Sequence, residues 1–285
     1  MYHFTACKRI IYKFNFLMTK SKVLNLTTSE IVNKICIAYI NNQGIFKEKH
    51  NAEDLVPKVS KENQIQFLFW VIQMDYATKS SRLYENANKL YKSDPNWIKC
   101  KYISDISDKD LYNLIQQNLR PRYTNEIVKR FKINCISLEE KYSGKAINIV
   151  KSSGSAKELL INIKEFRGFG DKLANFLART YIDLLDLKYK DIEDILQPVD
   201  VHDVRLTYEW GLIKDKEMTK KNIFKVKEIW QNACIESKNS WIIFDKALWL
   251  IGSSGIRTNN ALNDFRNNLG KNQENETIQR FSKTK

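Results

Sequence analysis

No Cys-x-x-Cys pair occurs in this sequence, and its five cysteines, Cys7, Cys36, Cys100, Cys135 and Cys234, are odd in number and far apart. They read as free thiols in a reducing compartment. Histidine is equally scarce, with three in 285 residues, so the scattered ligands build no metal site. No apolar run approaches the roughly 18 residues that a membrane-spanning helix needs, and no membrane partner is expected. There is also no convincing period-two alternation and no internal repeat. The fold class that remains is all-α.

Acid is in deficit as well: 33 Asp and Glu face 47 Lys and Arg, for a net charge of +14 and a pI near 9.4. Such a balance favours a polyanionic partner, nucleic acid before an anionic membrane face, although lysine-rich composition also arises from coding bias. What is present in quantity is apolar: 43% hydrophobic residues, 12% of the chain aromatic. That is enough for one large core or two modest ones. Residues 1–29 carry five Lys and Arg and no acid but only one arginine, Arg9. Mitochondrial targeting is not expected, and the start at Met1 or at Met18 stays open.

Helical periodicity recurs along the chain. Ile31, Val32, Ile35, Cys36 and Tyr39 follow a Thr-Thr-Ser cap with Glu30 behind it, which predicts a helix over 28–42. The polar stretch 42–61, with Pro57, reads as a connector. Gln64 to Met74 is apolar nearly throughout and reads as a buried, central helix. Further helices are expected at 80–92, at 107–117 behind a Ser-x-x-Asp cap, and at 124–132, 137–142 and 155–164. After these come 173–185 with a core-facing stripe, 201–210, 221–234, and a buried helix at 241–252. The Asn-, Lys- and Arg-rich stretch 257–285 reads as a flexible basic tail.

One stretch carries chemistry. Phe166-Arg167-Gly168-Phe169-Gly170-Asp171-Lys172-Leu173-Ala174 places two glycines around one apolar residue, just before a helix. Such a turn admits positive φ, leaves the backbone bare, and aims unpaired N–H groups and a positive dipole end at one anion. Lys172 falls in the first helical turn, where a cation is electrostatically out of place, at a cost of roughly 0.3–1 kcal/mol. Pro198-Val199-Asp200-Val201-His202 follows after the helix and a connector.

Together these residues resemble the helix-hairpin-helix DNA glycosylases, the superfamily of endonuclease III and the 8-oxoguanine glycosylases. Its hairpin reads Leu-Pro-Gly-Val-Gly-x-Lys-x-Ala, followed by Val-Asp-x-His, and the resemblance covers about residues 63–252. It implies that Lys172 attacks the sugar, that Asp200 stands opposite, and that Gly168, Phe169, Gly170 and His202 contact DNA. It also implies that Tyr76 fills the gap left by a flipped base, where a ring can stack. Arg120 and Arg122, flanking Pro121, become phosphate or orphan-base contacts; a solvated basic turn is the plain alternative. Asp171 and Asp203 read as first-turn helix acids rather than catalysts.

The implied architecture is two helical domains with the active-site cleft between them. One is discontinuous, 28–62 and 171–256; the other is a barrel, 63–170, leading into the hairpin at about 156–184, with an extension at 1–27. Endonuclease III relatives often hold a four-iron cluster on four cysteines near the C-terminus, where this chain has only Cys234. No iron–sulfur cluster and no other cofactor is expected. Phe176 stands where the eukaryotic 8-oxoguanine enzymes place a cysteine, and the Lys172-to-Asp200 connector is longer than in the family. The expectation is a monomeric, intracellular glycosylase and lyase acting on damaged double-stranded DNA, 8-oxoguanine ahead of oxidised pyrimidines. A non-catalytic DNA-binding module and an enzyme acting on RNA or a free nucleotide stay open.

Overall fold

The computed structural model describes residues 20–254, apart from 22–23, 48–50 and 77. Among them are twelve α-helices: α1 Thr28–Ile40, α2 Lys61–Ile72, α3 Ser80–Ser93, α4 Cys100–Asp105, α5 Asp108–Asn118, α6 Thr124–Tyr142, α7 Ala146–Lys151, α8 Ala156–Lys164, α9 Asp171–Leu185, α10 Val201–Glu209, α11 Lys220–Ser237 and α12 Trp241–Ser253. A two-residue antiparallel ladder pairs β1, Lys20–Ser21, with β2, Leu26–Thr27. The fold is all-α, as the sequence predicts. No helix among the described residues is long and apolar enough to cross a membrane.

Helix starts follow local chemistry. Thr27 and Glu30 form a capping box on α1, while Ser107 and Ser155 cap α5 and α8. The side chains of α2 are buried without a break from Ile65 to Ile72 because its neighbours enclose it. The Trp70 indole donates to the Ile98 carbonyl at 2.7 Å, and the Tyr181 hydroxyl of α9 donates to the Ile65 carbonyl at 3.1 Å.

Two apolar cores result. The first gathers α2 to α9 and reaches Ile195; the second is built from α1, Phe46 and α10 to α12, around Trp210, Trp230 and Phe244. The seam therefore falls near residue 199 rather than at 171, because Leu173, Leu177 and Tyr181 of α9 pack into the first core. Part of the N-terminal extension is also folded in: Leu24 joins the second core, and the Ser21 hydroxyl donates to the Trp210 carbonyl at 2.6 Å. Residues 1–19 and the tail at 257–285 lie outside the described residues.

Three other expectations need correction. The helices at 124–132 and 137–142 are one, α6, since Ile127, Phe131, Cys135, Leu138 and Tyr142 continue a single buried stripe past the polar Asn134. The connector at 42–61 contributes buried Phe46, Asn51 and Glu53. The short helices α4 and α7, six residues each, offered too little periodicity to read.

Candidate active site

The hairpin consists of α8, a turn at 165–170, and α9. Gly168 has φ +93°, a backbone conformation that favours glycine, and a Cβ there would lie 2.9 Å from Arg130 Cδ, so that the arginine side chain would have to shift. Gly170 caps α9, and a Cβ on it would meet nothing within 4 Å. That face is open to an approaching strand. Phe166 and Phe169 turn inward onto Phe69, with ring centroids 4.9 and 5.6 Å away. Phe169, grouped with the glycines as a DNA contact, therefore offers its backbone only.

Two buried amides pin the turn. The Arg167 N–H donates to Asn134 Oδ1 at 2.8 Å, and Asn134 Nδ2 donates to the Arg167 carbonyl at 2.9 Å and to Gln73 Oε1 at 2.6 Å. Asn134 and Gln73 are fully enclosed, so this satisfied network ties the hairpin to α6 and α2. The connector at 187–197 braces it from the other side. Asp191 accepts from the Ala156 and Lys157 N–H groups at 3.0 and 3.1 Å, and the Leu196 N–H donates to Asn175 Oδ1 at 2.7 Å. The extra connector length is docked structure.

Lys172, second residue of α9, has its side chain half exposed and its Nζ 3.9 Å from Asp200 Oδ2. Asp200 is the N-cap of α10: its Oδ1 accepts from the His202 N–H at 2.7 Å and the Asp203 N–H at 3.4 Å. The helix start orients the carboxylate and leaves Oδ2 toward the lysine, beyond hydrogen-bond distance. Asp203 completes the capping box, accepting from the Asp200 N–H at 2.7 Å. Burial first, then the charges of Asp200 and Asp245, push its carboxyl well above the usual range.

Behind this pair lies a cleft of about 550 Å³, open mouth included. Asp75, Phe176 and Arg179 line it from the first core, Asp200, Asp245 and Trp249 from the second. Its floor is ionic. Arg179, 3% exposed, reaches Glu53 Oε1 at 2.5 Å and Asp245 Oδ2 at 2.9 Å, and Lys246 reaches Asp54 at 3.0 Å and Asp183 at 2.9 Å. Burial pushes Asp245 up to about 6 against the pull of Arg179. It likewise raises Asp75 to about 6, against a 2.7 Å hydrogen bond from the Ser80 hydroxyl and the charge of Lys172.

His202 marks the crossing of α10 and α12. A Cβ on Gly252 would sit 2.6 Å from His202 Cβ, and the imidazole stands edge-on to Trp249 at 6.4 Å. Arg205 Nη2 donates to the Gly252 carbonyl at 2.5 Å and lies 3.4 Å from His202 Nδ1.

Of the other residues singled out from the sequence, Tyr76 and Arg122 line a second opening, and Arg120 lies outside its lining. Tyr76 and Tyr123 are exposed, their rings 6.2 Å apart at 32°, and Arg122 Cζ stands 5.4 Å over the Tyr123 ring. Arg120, exposed with φ +52°, ends α5 in the left-handed conformation, its N–H donating to the Ile115 carbonyl at 3.0 Å. Tyr76, Arg122, Tyr123 and Arg130 share a cavity of about 620 Å³, open mouth included. Tyr123, Trp249, Glu53 and Asp75 carry no motif and were not anticipated. Among the described residues no group of three or more His, Cys, Asp or Glu side chains is arranged to hold a metal ion, and the four described cysteines are buried free thiols.

In sequence the chain matches no protein-family model and no curated protein. In structure it is similar to an 8-oxoguanine DNA glycosylase of Methanocaldococcus jannaschii, with TM-score 0.53 and 14% identity over 79% of this chain and 94% of that one. The 8-oxoguanine glycosylase/lyase of that organism, in complex with a 15mer DNA containing 8-oxoguanine, gives TM-score 0.52 and 14% identity over 80% and 99%. A trapped endonuclease III–DNA covalent intermediate gives 0.51 and 14% over 78% and 84%. The chain has the helix-hairpin-helix glycosylase fold: two helical domains, the hairpin, and a cleft between them.

Proposed function

We propose that this chain is a DNA glycosylase with abasic-site lyase activity, removing an oxidised base, 8-oxoguanine above others, from double-stranded DNA. The observation that carries the reading is the Lys172–Asp200 pair, 3.9 Å apart at the mouth of the interdomain cleft. Lys172 stands on a hairpin pinned by buried hydrogen bonds, and Asp200 is oriented by a helix start. The fold is shared with an 8-oxoguanine glycosylase/lyase complexed with DNA and with endonuclease III trapped covalently on DNA.

An enzyme acting on a base in a duplex must extrude it, at a cost of a few kcal/mol. The turn backbone, open at Gly170, holds a phosphate, Tyr76 stacks in the vacated gap, and Arg120 and Arg122 face the opposite strand. The extruded base enters the cleft, where Phe176 and Trp249 offer aromatic walls. Departure of the base builds oxocarbenium character at C1′, which the Asp200 carboxylate stabilises. The Lys172 amine bonds to C1′, the sugar ring opens to a Schiff base, and β-elimination cuts the strand 3′ to the lesion. The protein works as a monomer beside chromosomal DNA and needs no cofactor.

Borohydride trapping on duplexes that each contain one lesion tests this, with wild type beside Lys172→Gln and Asp200→Asn. The expected result is a covalent complex on 8-oxoguanine duplex that the Lys172 variant cannot form. A complex only on oxidised pyrimidines would change the substrate. Tight duplex binding with neither a complex nor an abasic product would leave a binding module.

A further inference from the structure

We infer that Asp75 is the proton carrier of the cleft, taking the proton that Lys172 must shed before it attacks and delivering it to the departing base. The inference rests on the glycosylase reading above and assigns a role within that site.

Five carboxyls line the cleft: Glu53, Asp75, Asp200, Asp203 and Asp245. Four are occupied. Glu53 and Asp245 are held by Arg179, and Asp200 and Asp203 form the reciprocal cap of α10. Asp75 alone among them is in neither a cation pair nor a cap. Its Oδ1 accepts from the Ser80 hydroxyl at 2.7 Å, and no hydrogen bond from the described residues reaches its Oδ2. Its backbone N–H donates to the Ile72 carbonyl at 3.1 Å, which fixes it to the end of α2. The carboxyl thus lines the same cleft as Lys172 and Asp200.

The groups facing it suit a proton carrier. Burial raises its affinity for a proton, Glu53 from the 52–54 turn and Asp200 from the start of α10 add to this, and Ser80 and the Lys172 ammonium oppose it. The buried Tyr84 hydroxyl of α3 is a further titratable neighbour, its own proton held more firmly by burial and by the Asp75 charge, and Arg179, Asp203 and Asp245 line the same cleft. A carboxyl titrating near 6 is a stronger base than a solvated one, yet still releases its proton to a departing base anion. The steps balance. The Asp75 carboxylate takes one proton from the Lys172 ammonium. The amine nitrogen bonds to C1′ as the glycosidic bond breaks, its electron pair leaving on the base nitrogen. Protonated Asp75 then gives its proton to that nitrogen, ending as carboxylate beside a neutral base and a cationic lysine adduct.

Single-turnover base release between pH 5 and 9 tests the inference, on whichever lesion duplex the wild type processes. The wild-type rate should fall below about pH 6, as Asp75 becomes protonated. Asp75→Asn should slow release by roughly 10²-fold and abolish that acid limb while keeping duplex affinity, which reports a folded protein. Ser80→Ala retains the carboxylate but removes a hydrogen bond that lowers its pKa, so the limb should move to higher pH. Unaltered rate and profile in Asp75→Asn would overturn the inference. So would Ser80→Ala slowing release as much as Asp75→Asn with the limb unmoved, since Asp75 would then act only by tethering the loop. A wild type that releases no base from any duplex would defeat the glycosylase reading and this inference with it; an active wild type with an unaltered Asp75→Asn defeats this inference alone.

Discussion

Lys172 and Arg179 stand two turns apart on α9, and both meet carboxylates of the second domain. Arg179 is enclosed, bridging Glu53 and Asp245 at 2.5 and 2.9 Å, whereas Lys172 is 51% exposed in its side chain and 3.9 Å from Asp200. Arg179 Nε is buried without a hydrogen-bond partner among the described residues, so the pair is not fully satisfied, yet removing one partner would leave the other's charge stranded in the interior. A half-exposed pair beyond hydrogen-bond distance contributes at most about 1 kcal/mol. The same helix thus places one cation in a buried ionic cluster of the cleft and the other, half exposed, beside Asp200.

That contrast can be broken in four places. The largest effect on activity should come from Lys172→Gln, which removes the covalent complex and strand cutting while leaving the urea midpoint near that of wild type; a large loss of stability would erase the distinction. Arg179→Met should do the reverse at the level of folding. It strands Glu53 and Asp245 in the interior, and urea unfolding should show a loss of about 3–5 kcal/mol. Gly168→Ala lies between, since alanine at φ +93° also meets Arg130. A cost of about 1–3 kcal/mol with weaker duplex binding is expected, and filter binding across a salt series would detect it.

The smallest effect is a pH dependence. Asp75 and Asp245, raised from 3.8 to about 6, bind protons in the folded state that the unfolded chain has released. Their contribution to stability is full below about pH 4 and is lost as the pH rises through about 6. Compared with Asp75→Asn, wild type should therefore lose on the order of 1 kcal/mol between pH 4 and pH 7. Parallel stability curves for the two proteins would show that Asp75 is not desolvated in the native cleft.

Much of this molecule is readable from order and spacing alone. Glycines around one apolar residue ahead of a helix mark the hairpin because they are a local backbone requirement, whereas the pairing of Lys172 with Asp200 is read from resemblance to a family. Caps such as Thr27 with Glu30, and stripes such as Leu173, Leu177 and Tyr181, gave helices for the same reason. The misses share a cause too. Gln73 and Asn134 are polar residues in apolar runs, and nothing in the sequence says that they pair with each other across 61 positions and with the turn at Arg167.

The composition of the chain and its short-range pattern are therefore sufficient for an all-α, basic protein with a glycine hairpin. Which carboxyls surround Lys172, which of them are already occupied, and which aromatic rings wall the cleft are settled by packing. Asp75, Glu53, Asp245 and Trp249 come from three separate stretches, and their burial, hydrogen bonds and mutual charges exist only once two cores close on a common seam. Proton affinity and reactivity are properties of that enclosure, set by desolvation and neighbouring charge, and a linear order of residues specifies neither.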